Sequence, residues 1–324
     1  MSELNHALRK QGITGSEIAQ VAGVSRYGSA LEVWSRKLGL IPPLEVNPDM
    51  ARGRYLEPAL CDWACEEMGL IGCDVGTLQS MENPLIIASP DRLLYTDATM
   101  AYLTGVLEVK SPRYTTSYWT HPDDDPFGVD AQYIPQVTWE MAAAGVERAV
   151  VGALCYGELW LYQLELDPEL LGLLTQCAEK FWRDHIVAQV PPEPTAASDQ
   201  EVLRRLYPRE REPLVQIETG GDLDLYVTEW RRFEEYAKDA KSQADRSKAS
   251  VMSALGEHEG AQTDDWRVTW RQNKPSKKTD WERVARAAGA SDELIAEHTR
   301  EVEGPRVLRY SDLTKKTKKA RKGK

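Results

Sequence analysis

The chain has 324 residues, 42% of them hydrophobic, and a formal net charge of −11. This length suits one large domain with a smaller one, and the hydrophobic content excludes a wholly disordered chain. No apolar run approaches the ~20 residues that cross a bilayer, and residues 1–17 lack the apolar segment of a signal peptide. We therefore expect a cytoplasmic protein without a membrane partner.

The charge is distributed unevenly along the chain. Residues 1–200 carry 13 Lys and Arg against 28 Asp and Glu, a balance of −15. Residues 201–324 carry 27 against 23, a balance of +4, and the last ten residues hold seven cations and no anion. The net charge argues against nucleic-acid binding, whereas the basic C-terminal end is typical of a segment that contacts phosphates.

The five cysteines are scattered, and no Cys-x-x-Cys pair occurs, which argues against a structural zinc site. Cys61 and Cys65 are four residues apart and could hold a metal on one face of a helix. The alternative, which we favour, is that the cysteines are small core residues in a reducing cytosol.

Periodicity predicts alternating helices and strands in the first two thirds of the chain. The expected helices are two within 14–39, then 54–69, 130–145 and 168–189. Pro58 would lie in the first turn of the helix 54–69. The expected strands are 71–80, 84–89 and 103–110, and a hairpin at 148–156 and 159–166 around Gly157-Glu158.

Three prolines at 191, 192 and 194 suggest a domain boundary near residue 195. Beyond it we expect helices at 199–206, 222–255, 279–288 and 291–299, with Thr279 and Ser291 as N-caps, and strands at 265–271 and 306–310. The polar helix 222–255 suggests an arm or a coiled pair. The predicted domains are therefore 1–195, a mixed extension 196–314 and a disordered basic tail 315–324.

The segment 89–112 contains the most informative group of polar residues. Glu108 and Lys110 alternate along a strand and therefore share a face. If strand 84–89 pairs with strand 103–110 as a hairpin, Asp91 lies beside Glu108. Two close carboxylates repel unless they are protonated or bridged by a cation such as Mg²⁺ or Mn²⁺. With a lysine to orient or deprotonate a water, the group suits phosphodiester hydrolysis, although such residues also occur on strands without a catalytic role.

The sequence resembles the lambda-type exonuclease and YqaJ-like viral recombinase family, which has a PD-(D/E)xK nuclease core. The resemblance covers roughly residues 9–190 and rests on five blocks in the family's order. These are Arg9 with Gly12-Ile13-Thr14-Gly15-Ser16-Glu17, Gly53-Arg54-Tyr55-Leu56-Glu57-Pro58, Ser89-Pro90-Asp91, Leu107-Glu108-Val109-Lys110 and Tyr133-Ile134-Pro135-Gln136-Val137.

The resemblance implies a restriction-endonuclease-like α/β (α+β) core, with a central mixed sheet flanked by helices and a helical or mixed C-terminal extension. It implies one or two metal ions held by Asp91, Glu108, the Val109 carbonyl and Glu57. Lys110 would position the attacking water, and Gln136 would steady the water or the lysine. Arg9 and Ser16 would hold the 5′-terminal phosphate of DNA.

Each of these residues also has a structural interpretation. Glu57 could be a solvated helix charge, Gln136 a packing or capping residue, Arg9 a surface cation and Ser16 a helix N-cap. Arg52 and Arg54 could touch the DNA backbone or could be surface charges. Outside the motifs, His121 with Asp123-Asp124-Asp125 could bind a metal or form a solvated loop, and Tyr118 and Trp119 could stack at a duplex end or belong to the core.

The expected function is a Mg²⁺-dependent exonuclease that digests duplex DNA from an end, 5′ to 3′, for phage-type recombination. The family also implies a single-strand annealing protein as partner and a homo-oligomer, with a trimeric ring favoured. The alternatives are an endonuclease or a repair or CRISPR-adaptation nuclease on the same core, and a catalytically silent DNA-end-binding scaffold. An iron–sulfur nuclease would need four clustered cysteines, which the scattered cysteines argue against.

Overall fold

The computed structural model describes residues 7–43, 45–113, 116–264, 267–271 and 281–298. The predicted N-cap Thr279, the predicted strand 306–310 and the basic tail 315–324 lie outside these residues. The chain divides into two compact units, Met1–Pro208 and Arg209–Lys324. Within the described residues, no helix has both the length and the apolar character needed to cross a bilayer.

Strands and helices are numbered here along the chain. The strands are β1 (Ile13–Thr14), β2 (Ile71–Cys73), β3 (Leu78–Gln79), β4 (Ile86–Ala88), β5 (Arg92–Tyr95), β6 (Leu103–Lys110), β7 (Arg148–Cys155), β8 (Glu158–Glu165), β9 (Gly260–Gln262) and β10 (Arg267–Thr269). The helices are α1 (Gly15–Val21), α2 (Ala30–Lys37), α3 (Pro48–Met68), α4 (Ile134–Ala144), α5 (Pro168–Phe181), α6 (Asp199–Leu206), α7 (Asp222–Leu255), α8 (Trp281–Ala287) and α9 (Asp292–Glu297).

The first unit is built on a five-stranded sheet in the order β2-β5-β6-β7-β8. Strands β6 and β7 are parallel, and the other neighbours in this sheet are antiparallel. A second sheet of three strands has the order β1-β4-β3. The predicted fold class, a central mixed sheet flanked by helices, is confirmed.

The strand that pairs with β6 differs from the prediction. We expected the strand ending before Asp91 to form the hairpin, but β4 belongs to the smaller sheet. The partner of β6 is β5, which begins directly after Asp91, and Arg92 is registered with Leu107. Ser89 and Pro90 therefore connect two sheets, because proline cannot donate a ladder hydrogen bond in a sheet interior.

Helix α4 connects the two parallel strands and packs between the sheets. Pro135 lies in its first turn, and Gly145 ends it in the left-handed conformation with φ 67°. Val137 and Met141 face the core of the central sheet, whereas Trp139 belongs to the cluster around the smaller sheet. The indole N–H of Trp139 donates to the Ile13 carbonyl over 2.8 Å, which joins α4 to β1.

Helix α3 covers the opposite face of the central sheet with Leu60, Cys61 and Ala64. It begins at Pro48 after an Asn47 cap, not at residue 54 as predicted. Pro58 consequently lies inside the helix, and its predicted place in the first turn is wrong. Asn47 is the stronger start signal, because its side chain accepts from the Met50 amide over 2.9 Å.

The hairpin of β7 and β8 is confirmed, with a tight turn at Tyr156 and Gly157 rather than Gly157-Glu158. Both turn residues have positive φ, 55° and 92°, as a two-residue hairpin of this hand requires. Helix 168–189 is also confirmed as α5 continued by a π-helical stretch, Trp182–Val187. These elements are local in sequence, which explains why their pattern was readable.

The first unit ends later than the predicted boundary at residue 195. Helix α6 belongs to it because the Ser29 hydroxyl donates to the buried Asp199 carboxylate and Val202 enters the core. Asp199 also accepts from the Thr195 and Ala196 amides at 2.8 and 2.9 Å. The three prolines thus lie within the first unit, and the division falls after Pro208.

The second unit contains the predicted long helix, now α7, followed by the antiparallel pair β9 and β10. The predicted strand 265–271 corresponds to β10. Two short helices, α8 and α9, follow, and Ser291 caps α9 as expected by accepting from the Leu294 amide over 3.2 Å.

We predict that Gly105→Ala destabilises the protein by roughly 1–3 kcal/mol, the usual cost of overpacking a core. A Cβ at this position in β6 would lie 2.6 Å from the Arg148 carbonyl oxygen of β7, so the two parallel strands would have to separate. The measurement is urea-induced unfolding followed by circular dichroism.

The matched control is Gly172→Ala in helix α5, where an added Cβ meets no atom within 4 Å. This variant should be as stable as the parent or slightly more stable, because alanine favours a helix. Equal unfolding midpoints for the two variants would contradict the close approach of β6 and β7.

Candidate active site

The candidate site lies where β5 begins and β6 ends. Asp91 directly precedes β5, and its Oδ2 accepts a hydrogen bond from the Val109 amide over 2.8 Å. Glu108 and Lys110 share one face of β6, and the Lys110 ammonium forms an ion pair with Glu108 Oε1. Antiparallel pairing of β5 and β6 therefore brings Asp91 beside Glu108, as expected, although through a different strand.

Helix α4 contributes two further side chains to this cluster. The Gln136 amide nitrogen donates to Glu108 Oε1 over 2.6 Å and to Glu140 Oε1 over 2.8 Å. Gln136 and Glu140 are four residues apart and thus lie on the same face of the helix. Gln136 is therefore connected directly to the predicted carboxylate Glu108, whereas the resemblance implied a contact with the attacking water or with Lys110.

Helix α1 approaches the cluster of Glu108, Gln136 and Glu140 at its first residue, Gly15. A Cβ on Gly15 would lie 3.2 Å from Glu140 Oε1 and 3.5 Å from Gln136 Cγ. The absence of a side chain at this position lets α1 pack closely against α4. The motif 12–17 and the motif 133–137, far apart in the chain, are consequently neighbours.

Burial and like charges control the protonation of the site. Burial, followed by the charge of the nearby Glu108 carboxylate, raises the pKa of Asp91 to about 8. Burial, followed by the charge of Glu108, also raises the pKa of Glu140 well above its ordinary value. Burial alone would lower the pKa of Lys110, but the carboxylates of Glu108 and Asp91 outweigh it and raise that pKa. Lys110 is therefore a cation in this arrangement.

Glu57 faces the same cluster from the interior of α3. Its pKa is raised, first by burial and then by the Glu108 carboxylate, while Arg92 and Lys110 act in the opposite direction. Glu57 is thus a half-buried member of the acidic group rather than a fully solvated helix charge.

Carboxylate oxygens, a backbone carbonyl at Val109 and the amide of Gln136 are the ligand types that Mg²⁺ prefers. Among the described residues, however, no three His, Cys, Asp or Glu side chains are already arranged as a metal site. Burial is the largest cause of the raised pKa values of Asp91, Glu57 and Glu140, and the Glu108 carboxylate adds to it in each case. The donor set and the charge therefore fit a divalent cation, with Lys110 currently neutralising Glu108.

The four predicted DNA-binding residues are less closely joined to the cluster. Arg52 donates to the carbonyl of Ser111, just beyond Lys110, over 2.6 Å, whereas Arg54 is exposed on α3. Lys37 connects the segment of Arg9 to the segment of Ser16. Its ammonium donates to the Arg9 carbonyl and pairs with Glu17, which follows Ser16, both over 2.7 Å. Ser16 is not the N-cap of α1; Thr14 is, so that structural interpretation is wrong.

The other sequence candidates have structural roles. Asp123 and His121 interact within their own loop, with the Asp123 amide 3.2 Å from His121 Nδ1. Trp119 is buried against Tyr133 and Tyr162, which supports the core alternative, while Tyr118 is exposed beneath the Arg26 guanidinium. The five cysteines are free; Cys61 and Cys155 are buried, as core residues would be, whereas Cys65 and Cys73 are half-buried and Cys177 is exposed.

Sequence reasoning missed Glu140 and the role of Tyr133. Glu140 is only 1% exposed, and its Oε2 has no hydrogen-bond partner. The Tyr133 ring lies 4.9 Å from the Lys110 ammonium, within range of a cation–π contact. A charged residue four positions after Gln136 in an otherwise apolar helix was the signal that could have identified Glu140.

Comparison with known proteins supports the predicted resemblance. Residues 5–147 match the family model of the YqaJ-like viral recombinase domain. An uncharacterized protein, YqaJ, from Bacillus subtilis (strain 168) is 23% identical over 237 residues, covering 70% of this chain and 68% of that protein. The predicted family resemblance is thereby confirmed.

Two solved exonuclease structures also resemble the chain. The alkaline exonuclease LHK-Exo from Laribacter hongkongensis is 23% identical, with 58% of this chain and 94% of that one covered and a TM-score of 0.46. A phage related exonuclease from Haemophilus somnus 129PT is 12% identical, with 55% and 96% covered and a TM-score of 0.43.

We predict that the stability of the metal-free protein falls as the pH rises from about 5 to 8. Asp91 has a folded pKa of about 8 against an ordinary value of 3.8, so the folded state keeps a proton that the unfolded chain has lost. Each retained proton costs up to about 1.4 kcal/mol per pH unit in this window. Asp91→Asn should flatten the dependence, measured by urea unfolding in EDTA.

Asp123→Asn is the control for this experiment, because the Asp123 side chain is 91% exposed. It should retain the slope of the parent protein. A slope that Asp91→Asn leaves unchanged would show that this carboxyl is not buried beside another carboxylate.

Proposed function

We propose that the chain is a metal-dependent nuclease that removes nucleotides from an end of duplex DNA. The observation that carries this proposal is the contact network of Asp91, Glu108, Lys110 and Gln136 at the joined ends of β5, β6 and α4. The match to the YqaJ-like viral recombinase domain covers all four residues. The two solved structures that resemble the chain are both described as exonucleases, which agrees with this proposal.

Asp91, Glu108 and the Val109 carbonyl would hold Mg²⁺ or Mn²⁺, and Glu57 would contribute to a second ion. Such an ion, when bound, polarises the scissile phosphate and neutralises charge that develops on it. Asp91 is oriented for this task by the Val109 amide. Glu108 is oriented by the Gln136 amide.

Lys110 positions the attacking water near the phosphate and offers a positive charge to it. Because neighbouring carboxylates hold its pKa up, the ammonium keeps its proton until a cation takes over their charge. Gln136 keeps Glu108 and Glu140 at fixed separation by donating to both. The buried Tyr133 ring restricts the lysine from one side.

For an end-directed enzyme, Arg9 and Ser16 would grip the 5′-terminal phosphate, and Arg52 and Arg54 would contact the backbone of the duplex. A guanidinium suits this because it can bind two phosphate oxygens at once. The packing of Gly15 against Gln136 and Glu140 supports the placement, since it brings the Ser16 segment beside the cluster. Digestion would proceed 5′ to 3′ and leave a single strand for an annealing protein. A trimeric ring of nuclease units is part of this proposal.

We predict that Lys110→Ala lowers the rate of duplex digestion roughly 100-fold or more, the cost of losing one group that stabilises transition-state charge. The assay is release of acid-soluble nucleotides from linear duplex DNA in Mg²⁺. Lys180→Ala, on α5 away from the cluster, is the control and should retain full activity. Unchanged digestion by Lys110→Ala would refute the role of this lysine.

We further predict faster digestion of linear duplexes with 5′-phosphate ends than with 5′-hydroxyl ends. Arg9→Gln should remove most of this preference, because the phosphate loses a guanidinium partner, whereas Arg183→Gln should preserve it. Equal rates on both ends with the parent protein would exclude the roles of Arg9 and Ser16.

Covalently closed circular DNA separates the proposed function from its main alternative. An end-dependent exonuclease leaves this substrate intact, whereas an endonuclease on the same core cuts it. A DNA-end-binding scaffold would bind linear duplexes and digest none of them in Mg²⁺.

A further inference from the structure

Helix α7 is long and almost entirely exposed. Its 34 residues include a single buried one, Leu255, and correspond to about 51 Å of helix at 1.5 Å per residue. The side chains of Leu223, Tyr226 and Phe233 are 51%, 58% and 54% exposed. A helix of this kind normally gains its stability by packing an apolar face against something else.

The exposed face follows a regular heptad pattern. Apolar or small residues recur with alternating spacings of three and four over the whole helix, as the a and d positions of a coiled coil do. We call this set the α7 seam: Leu223, Tyr226, Trp230, Phe233, Ala237, Ala240, Ala244, Ser247, Val251 and Ala254.

Side-chain size along the seam favours an antiparallel partner with the same sequence. The first four seam residues are large, and those from Ala237 onward are small apart from Val251. A parallel pair would place Trp230 beside its own copy and Ala244 beside its own copy, so the helices would be held apart at one end and leave voids at the other. An antiparallel pair instead places each large residue opposite a smaller one.

The antiparallel register follows from the symmetry of the seam about a point between residues 238 and 239. Tyr226 then lies opposite Val251 of the second copy, Trp230 opposite Ser247 and Phe233 opposite Ala244. Each such layer joins an a position to a d position, which is the arrangement that antiparallel coiled coils adopt. The seam is therefore complementary to itself in one orientation.

Charge points to the same orientation. Residues 222–235 contain five acidic and two basic residues, whereas residues 236–255 contain four basic and two acidic ones. In an antiparallel pair the acidic half of each helix meets the basic half of the other. Beside the seam, Glu234 of one copy would face Lys241 and Lys248 of the other, all at e positions. A parallel pair would bring Glu229 against Glu234, which is repulsive.

We propose that α7 forms an antiparallel coiled coil with α7 of a second copy of this chain. The contact is isologous, so the same seam serves both copies and the pair closes on itself. This contact does not depend on the proposed nuclease function.

The first test places a charge in the seam of the full-length protein and measures mass by light scattering and sedimentation. Ala240→Glu should halve the assembly mass at micromolar concentration, because it buries a carboxylate at the centre of the pair. Ala249→Glu is the matched control: it makes the same substitution on the opposite face of α7 and should leave the mass unchanged. Equal masses for the parent and both variants would overturn the proposal, as would happen if the seam covered DNA, another protein or the chain's own first unit.

The second test reverses charges beside the seam and also fixes the orientation. Glu234→Lys should weaken self-association at least tenfold, and combining it with Lys241→Glu and Lys248→Glu in the same chain should restore it. A parallel pair would respond in the opposite way, because Glu234→Lys would remove the repulsion from Glu229. Tighter association of Glu234→Lys, or no rescue by the triple variant, would overturn the antiparallel pairing.

Discussion

Several buried acidic side chains lie close together around one lysine, and the structure of the first unit depends on keeping them there. Asp91, Glu108 and Glu140 lie in a region that excludes most water, and carboxylates there are costly unless they are protonated, paired or hydrogen-bonded. The protein supplies the Lys110 ammonium, the Val109 amide and the Gln136 amide. These groups satisfy the site only in part, since one oxygen of Glu140 has no partner. Added positive charge near these groups would lower the cost of ionising them.

The topology of the sheet makes this concentration unavoidable. Antiparallel pairing of β5 with β6 brings the residue before one strand beside the end of the other. The parallel pairing of β6 with β7 requires a crossover, and α4 is that crossover. Its polar face, Gln136 and Glu140, is therefore held over the end of β6, while Val137 and Met141 are buried in the sheet core. The same helix that completes the core thus completes the site.

Local patterns in the sequence predicted much of this arrangement, because alternation alone places Glu108 and Lys110 on one face. Helix α4 and the β7–β8 hairpin were readable for the same reason. The division between sheets was not, since nothing near Asp91 distinguishes a strand that pairs with β6 from one that pairs with β1 and β3. The end of the first unit was also hidden, because it depends on Asp199 reaching Ser29 across 170 positions of the chain. Pairings of this range leave no trace in local periodicity.

The charges of the second unit divide into two groups with separate consequences. Helix α7 carries seven acidic and six basic residues, close to neutral in total but polarised along its length. Two ion pairs form within the helix, Arg232 with Glu229 and Lys241 with Asp245, and an antiparallel copy would place the acidic half of each helix against the basic half of the other. The positive balance of residues 201–324 therefore resides elsewhere, and the last ten residues alone supply seven cations. Under the proposed nuclease function, these cations would be the ones to contact DNA phosphates, with the strong salt dependence of such contacts.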